Sequence, residues 1–304
     1  MSTLAGELND SSRSSTGSSK ISKACLGLAG RCSDGMASWL GALGMKGGPA
    51  TLGQGTRVLV LLFLSVPALF LIPVSFSKGA FIEWPPALFS LQWYAGIAES
   101  SQWLQAATRS FVVAGLSALL ALLIGTPAAF ALNRFNLPGK SAVLAMILAP
   151  LIVPRIVTAV GLFYLFAQLG LIGSTFGLIL GHAVLSVPYV TITVMAVLRH
   201  HDWRLEQAAS TMGARRIATL RRVTLPLIRN GLVAAYLFAF VTSFDELTVA
   251  LFVTGGLFGT LPKQMWDDAL LKVSPTLAAV SVVLLVLFTA FLMIAERLSR
   301  ARSA

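Results

Sequence analysis

The chain has 304 residues, of which 56% are hydrophobic and 12% charged, and it carries a net charge of +11. A soluble domain averages roughly 25% charged residues, so this composition, with a mean hydropathy of +0.80, excludes an ordinary soluble protein and places the chain in a membrane. The positive balance then reads as Lys and Arg collected by cytoplasmic loops and lipid head groups, not as a nucleic-acid surface.

Residues 1–56 are rich in Ser and Gly and contain no long apolar run. They are expected to form a disordered cytoplasmic tail, with a weakly amphipathic piece at 21–43 and alternative starts at Met36 or Met45. The two cysteines, Cys25 and Cys32, lie there without neighbouring histidines, so free thiols are expected and not a zinc site. Residues 57–304 are expected to form one transmembrane domain. Apolar runs near the ~20 residues that cross a bilayer recur at 58–76, 103–132, 142–169, 174–198, 232–254 and 276–295. The expected fold is therefore an all-α integral membrane protein with six transmembrane helices. Prolines 67, 73, 127, 150, 154 and 188 fall within these runs and are expected to kink or break their helices.

Orientation follows from the basic residues. All 23 Lys and Arg except Lys78, Arg109, Arg155, Lys263 and Lys272 fall on one side if both termini are inside. Six spans with N-in and C-in topology satisfy the positive-inside rule. Trp84, Trp93, Trp103 and Trp266 then mark the outer face.

The stretch 199–230 is too polar to cross and has its own helical pattern. Leu205, Ala208, Ala209 and Met212 recur at helical spacing, Asp202 is placed to cap a helix, and Gly213 to end it. A second segment runs from Ala214 toward Pro226, with Ile217, Leu220 and Val223 on one stripe beside Arg215, Arg216, Arg221 and Arg222. On these features alone, contact with lipid head groups and docking of a cytoplasmic partner are equally compatible.

Three ionisable sites fall inside spans, where insertion costs roughly 2.5–3.5 kcal/mol each. They are Asp245 and Glu246 in the fifth run, Arg155 after Pro154 in the third, and Arg109 near the outer end of the second. The paired carboxylates suit the lining for a cationic solute; an internal ion pair with Arg155 is the alternative. His182, His200 and His201 are isolated, and packing accounts for them better than metal binding. Gly139-Lys140-Ser141 looks like the end of a phosphate-binding loop, but Arg134 stands where that loop needs glycine. Neither ATP binding nor catalytic residues nor any cofactor is therefore expected. A stand-alone secondary transporter or channel accounts for the spans and buried charges but not for the folded loop. A membrane-embedded enzyme lacks a catalytic set.

The run from Gln207 through Ala208 and Ala209 to Gly213 and Ala214, followed by Leu225-Pro226, resembles the "EAA" signature of ABC importer permeases. The resemblance covers about residues 57–296. Leu151-Ile-Val-Pro-Arg-Ile-Val157, Gly181-His-Ala-Val-Leu-Ser-Val-Pro-Tyr189, Ser243-Phe-Asp-Glu-Leu247 and Thr260-Leu-Pro-Lys-Gln-Met-Trp266 look like the second permease of the spermidine/putrescine-type branch. It implies a MetI-like transmembrane fold in a bacterial inner membrane. It also implies a coupling helix seated on a separate ATPase dimer, a second permease, and a periplasmic solute-binding protein docking on outer loops that include 260–268. By resemblance the coupling residues are Glu206, Gln207, Ala208, Ala209, Gly213, Ala214 and Pro226. Gln207 departs from the pattern, because an acid is usual there and Glu206 lies one residue early. Arg155 also departs: a positive charge after that proline would repel a polyamine and would suit a solute that carries a carboxylate, such as an opine or amino-acid derivative.

Overall fold

In a computed structural model, residues 50–300 are described except 82, 87, 136–137, 257–258 and 272–273. The tail at 1–49, with both cysteines and the alternative starts, lies outside the described residues. The chain divides into two compact units, Met1–Phe70 and Leu71–Ala304. The helix α1, Ala50–Ser75, passes across that division.

Within the second unit the elements are helical, joined by turns and one isolated bridge between Ser77 and Phe89. They run in the order α2 (Gln92–Glu99), α3 (Ser101–Arg134), α4 (Lys140–Ile152), α5 (Arg155–Gln168), α6 (Thr175–Arg199), α7 (Arg204–Thr211) and α8 (Arg216–Thr219). A π-helical turn at Leu220–Thr224 leads into α9 (Leu225–Phe244), followed by α10 (Thr248–Val253), α11 (Leu261–Leu271) and α12 (Thr276–Arg300).

The core is the packing of α3, α6 and α9. Lipid tails supply no hydrophobic drive between helices, so close backbone approach through small residues must hold them. Ala114, Ala118, Ala121, Gly125 and Ala129 form such a stripe on α3, and all are buried. A Cβ at Gly125 would sit 2.9 Å from Val190 Cγ1 on α6, and one at Gly231 on α9 would overlap Val197. Ser117 donates to the Ile179 carbonyl at 3.0 Å, tying α3 to α6. The outer surfaces stay apolar: Leu123, Phe176, Ile192 and Phe238 are exposed, as a lipid-facing or partner-facing helix requires. At ~1.5 Å per residue, the 34 residues of α3 exceed the ~30 Å hydrocarbon core and project from it.

Among the described residues, three helical stretches are long and apolar enough to cross a membrane: α3, α6 and the continuous path Arg216–Phe244. The pair α4 and α5 makes a fourth if counted as one span, but it is bent by 102°. Shorter apolar stretches occupy Leu59–Ser75 and Thr276–Ala290.

Two of the expected spans are therefore corrected. The run 142–169 is not one helix, because Pro154 has no amide to donate and pushes Val153 into an extended conformation (φ −70°, ψ 132°). The run 232–254 is not continuous either, since α9 ends at Phe244 and a turn at 245–247 precedes α10. Asp245 and Glu246 thus stand at a helix break and not in mid-helix.

Candidate functional site

The loop 199–230 folds as its pattern predicts locally. Asp202 Oδ1 accepts the Arg204 amide at 3.0 Å, capping α7. At the other end Gly213 adopts φ +83°. Its amide donates to the Ser210 carbonyl, and that of Ala214 to the Ala209 carbonyl, both at 3.0 Å. This pair of bonds is the Schellman stop, which satisfies the last carbonyls of a helix through one left-handed residue.

Leu225 and Pro226 open α9, and the helical path is continuous from Arg216 to Phe244 through the π turn. Pro226 has no amide for the carbonyl four residues back, and the preceding turn absorbs this by widening, with the Leu225 amide donating to the Leu220 carbonyl.

The orientation of α7 is the telling feature. Its acidic residue Glu206 is buried, while Leu205, Gln207, Ala208 and Met212 are exposed, as is Ile217 on α8; Met212 is 87% exposed. Glu206 Oε2 lies 2.7 Å from Arg134 Nη1, and Thr224 Oγ1 donates to Oε1 at 2.5 Å. The Arg134 guanidinium also sits 5.5 Å over the Trp203 ring, a cation–π arrangement. Trp203 in turn packs on the core of α3, α6 and α9. A cleft of about 560 Å³ beside α7 is lined by Asn133, Arg134, Gln207, Ser210 and Arg216, among others. Arg204, Ser210 and Thr211 are exposed too, so α7 buries its acid and leaves Leu205, Ala208 and Met212 in the open among polar side chains, as on a surface that another molecule covers.

Of the four ionisable residues read inside spans, Arg155, Glu246 and Asp245 fall into two environments. Arg155 Nη1 lies 3.2 Å from Glu246 Oε2, and the Glu246 side chain is 2% exposed. Glu246 Oε1 also accepts the Val249 amide at 3.1 Å, so the same carboxylate caps α10. Asp245 points elsewhere. It is exposed on the wall of a cavity of about 630 Å³ that also includes Phe244, Trp266, Met265 and Phe288. Spacing along the chain made the two carboxylates a pair; the turn at 245–247 sends them to different sides.

Sequence reasoning missed a polar cluster at the opposite end of α3 from Arg134. Gln102 donates to Gln264 at 3.0 Å and Gln264 to Asp268 at 3.1 Å, with Gln264 and Asp268 both buried. The segment 260–268 is thus largely the packed helix α11, which leaves Trp266 as its exposed aromatic. His182 is buried between α6 and α9, its Nδ1 2.9 Å from Ser243 Oγ. Among the described residues no group of three or more His, Cys, Asp or Glu is placed to hold a metal ion.

Residues 121–303 match the family described as binding-protein-dependent transport system inner membrane component. The chain is 32% identical over 247 residues to the spermidine/putrescine transport system permease protein PotC of Escherichia coli K12, covering 81% of this chain and 93% of that one. It is 31% identical over 241 residues to the putrescine transport system permease protein PotI of the same strain, covering 75% and 85%. Among solved structures, a bacterial ABC transporter involved in the import of the acidic polysaccharide alginate has a chain that superposes with a TM-score of 0.62. That chain is 15% identical, and the match covers 82% of this chain and 96% of that one. The inward-facing MetNI methionine ABC transporter gives 0.54 at 20% identity, covering 65% and 94%. The family match and these relatives agree with the small-residue helix core: the chain belongs to the inner-membrane permease components of binding-protein-dependent ABC importers.

Proposed function

We propose that this permease carries a polyamine or a related amine across the inner membrane, driven by a separate ATPase dimer. The observation that carries the coupling half is the exposed apolar face of α7, with Leu205, Ala208 and Met212 outward and Glu206 inward. Ala208, Ala209, Gly213 and Ala214 form the contact that seats on the ATPase, and Gln207 faces it without charge. Pro226 keeps α8 and α9 joined through the widened turn. A second permease completes the pathway against the exposed apolar faces, and a periplasmic solute-binding protein delivers the solute at the end of the bundle that carries α11. Six spans with both termini inside place the Arg-rich loop and Arg134 in the cytoplasm, and residues 1–56 form a cytoplasmic tail.

The substrate half rests on Asp245. Among the described residues it is the one charged group in its cavity lining, beside Phe244, Trp266 and Phe288, and a carboxylate among aromatic rings suits an alkylammonium ion. Arg155 speaks for a carboxylate-bearing solute only while its charge is free. With Glu246 3.2 Å away, that charge is compensated, which favours the polyamine over the opine-type alternative. Two relatives are named for putrescine or spermidine transport, and this supports the same reading.

Cells lacking other polyamine importers, supplied with this permease and its partner genes, test it. Labelled putrescine should accumulate with the wild-type chain, and Asp245→Asn should raise the half-saturating concentration. Accumulation unaffected by Asp245→Asn would remove Asp245 from the pathway; an absence of putrescine uptake would remove the substrate class.

A further inference from the structure

Glu206 stands one position before the place where the family pattern has its acid, and its surroundings say what it does. Its carboxylate is bonded by residues of two elements and approached by a residue of a third. Arg134 is the last residue of α3, Thr224 closes the π turn beneath α9, and His201, just past α6, brings Nε2 to 3.6 Å from Oε1. These are the cytoplasmic ends of the three helices that make the core. Glu206 is 6% exposed and only borders the cleft beside α7, so most of the carboxylate is turned toward its own chain and away from a partner subunit. A short helix held only by its two peptide links would swing about Gly213 and the turn at 200–203 when pushed. A buried carboxylate bonded to Arg134 and Thr224, at the ends of two core helices that pack on α6, removes that freedom, because moving it away leaves both without their partner.

We propose that Glu206 is a positioning residue that locks the coupling helix α7 to the inner ends of α3, α6 and α9, so that all four move as one body, and that it is not a docking acid. This rests on the reading of α7 as the ATPase contact and assigns docking to the uncharged surface around Gln207, Ala208 and Met212. The stroke of the ATPase is then delivered to the whole three-helix core. The helical path yields at the interruptions outside it, the bend between α4 and α5 and the turn at 245–247.

The lock is tested in the assembled complex with the ATPase and second permease, with Cys25 and Cys32 replaced by serine. Spin labels at Ser210→Cys, an exposed position of α7 outside the docking surface, and Ile124→Cys report the separation of α7 from α3. A single narrow distance is expected, unchanged between the nucleotide-free and ATP-bound complexes; a shift of about one helical turn, ~5 Å, between those states overturns the proposal. Arg134→Gln and Glu206→Gln should broaden that distribution and cut solute uptake per ATP hydrolysed at least about fivefold. ATPase should still co-purify at wild-type stoichiometry, and Arg134→Lys should retain coupling. Wild-type distances and coupling in both variants would refute the lock, as would loss of ATPase from Glu206→Gln but not from Arg134→Gln. If Glu206→Gln fails to reach the membrane, Arg134→Gln decides alone, since its side chain is about half exposed (49%). Failure of the wild-type complex to hold ATPase would instead sink the docking reading.

Discussion

The division of labour between Asp245, Glu246 and Arg155 makes an asymmetric prediction. Arg155→Met strands the Glu246 carboxylate, whose side chain is 2% exposed and which then keeps only the Val249 amide. Removing one partner of a buried pair costs about 3–5 kcal/mol, so the lower end, ~3 kcal/mol, is expected here because one partner was never fully buried. Glu246→Gln leaves a guanidinium that is 53% exposed and an amide oxygen still able to cap α10. It should cost only about 1 kcal/mol. The difference of ~2 kcal/mol corresponds to a gap of about 4–8 °C in melting temperature for a domain of this size. Arg155→Met with Glu246→Gln together should recover most of that gap, because neither charge is then stranded. Asp245→Asn should leave the melting temperature within about 1–2 °C of wild type, as surface substitutions do. Thermal unfolding of the purified complex followed by tryptophan fluorescence reads all four variants. If Glu246→Gln melts as low as Arg155→Met, or if Asp245→Asn is the variant that destabilises, the assignment of one structural and one lining carboxylate is wrong.

Three further outcomes are expected. Gly213→Val should weaken ATPase association and ATP-dependent uptake, because a β-branched residue at φ +83° costs about 1–2 kcal/mol or more and undoes the stop of α7; Gly213→Asn should be milder. Met212→Asp should leave the melting temperature unchanged, since the side chain is 87% exposed, yet release the ATPase in pull-downs; retention of the ATPase would count against the docking face. Gly231→Leu should lower the yield of folded permease by forcing α9 off Val197, with overpacking worth about 1–3 kcal/mol, whereas Gly161→Ala, in α5 with open space around it, should affect expression far less.

Much of the architecture could be read from the chain because the bilayer imposes a length and a composition on anything that crosses it. The runs around Ala118 and Val190 became α3 and α6 for that reason. The capping of α7 was legible because Asp202 and Gly213 act through their own neighbours. The breaks were harder to read. The apolar run resumes at once on either side of Pro154-Arg155 and of Asp245-Glu246, so each reads as one span with charges in it, and only the proline hinted at the first break. The second depends on Glu246 meeting Arg155, which is distant in sequence. The facing of α7 was hidden for a similar reason. Periodicity shows which residues share a stripe, not which stripe is covered, and Glu206 turns inward because folding brings Arg134 and Thr224 to it. Gln207 looked like a lost acid, whereas the fold presents it as a neutral surface residue next to a buried one.

Reconstitution tests the central claim most directly. This permease, its ATPase, the second permease and the solute-binding protein are placed in liposomes, with labelled putrescine outside and ATP inside. Uptake should require ATP and the binding protein together, and should collapse with Gly213→Val while the complex remains folded. Uptake that proceeds without ATP, or that is indifferent to the coupling loop, would show a transporter working by another principle and contradict the account.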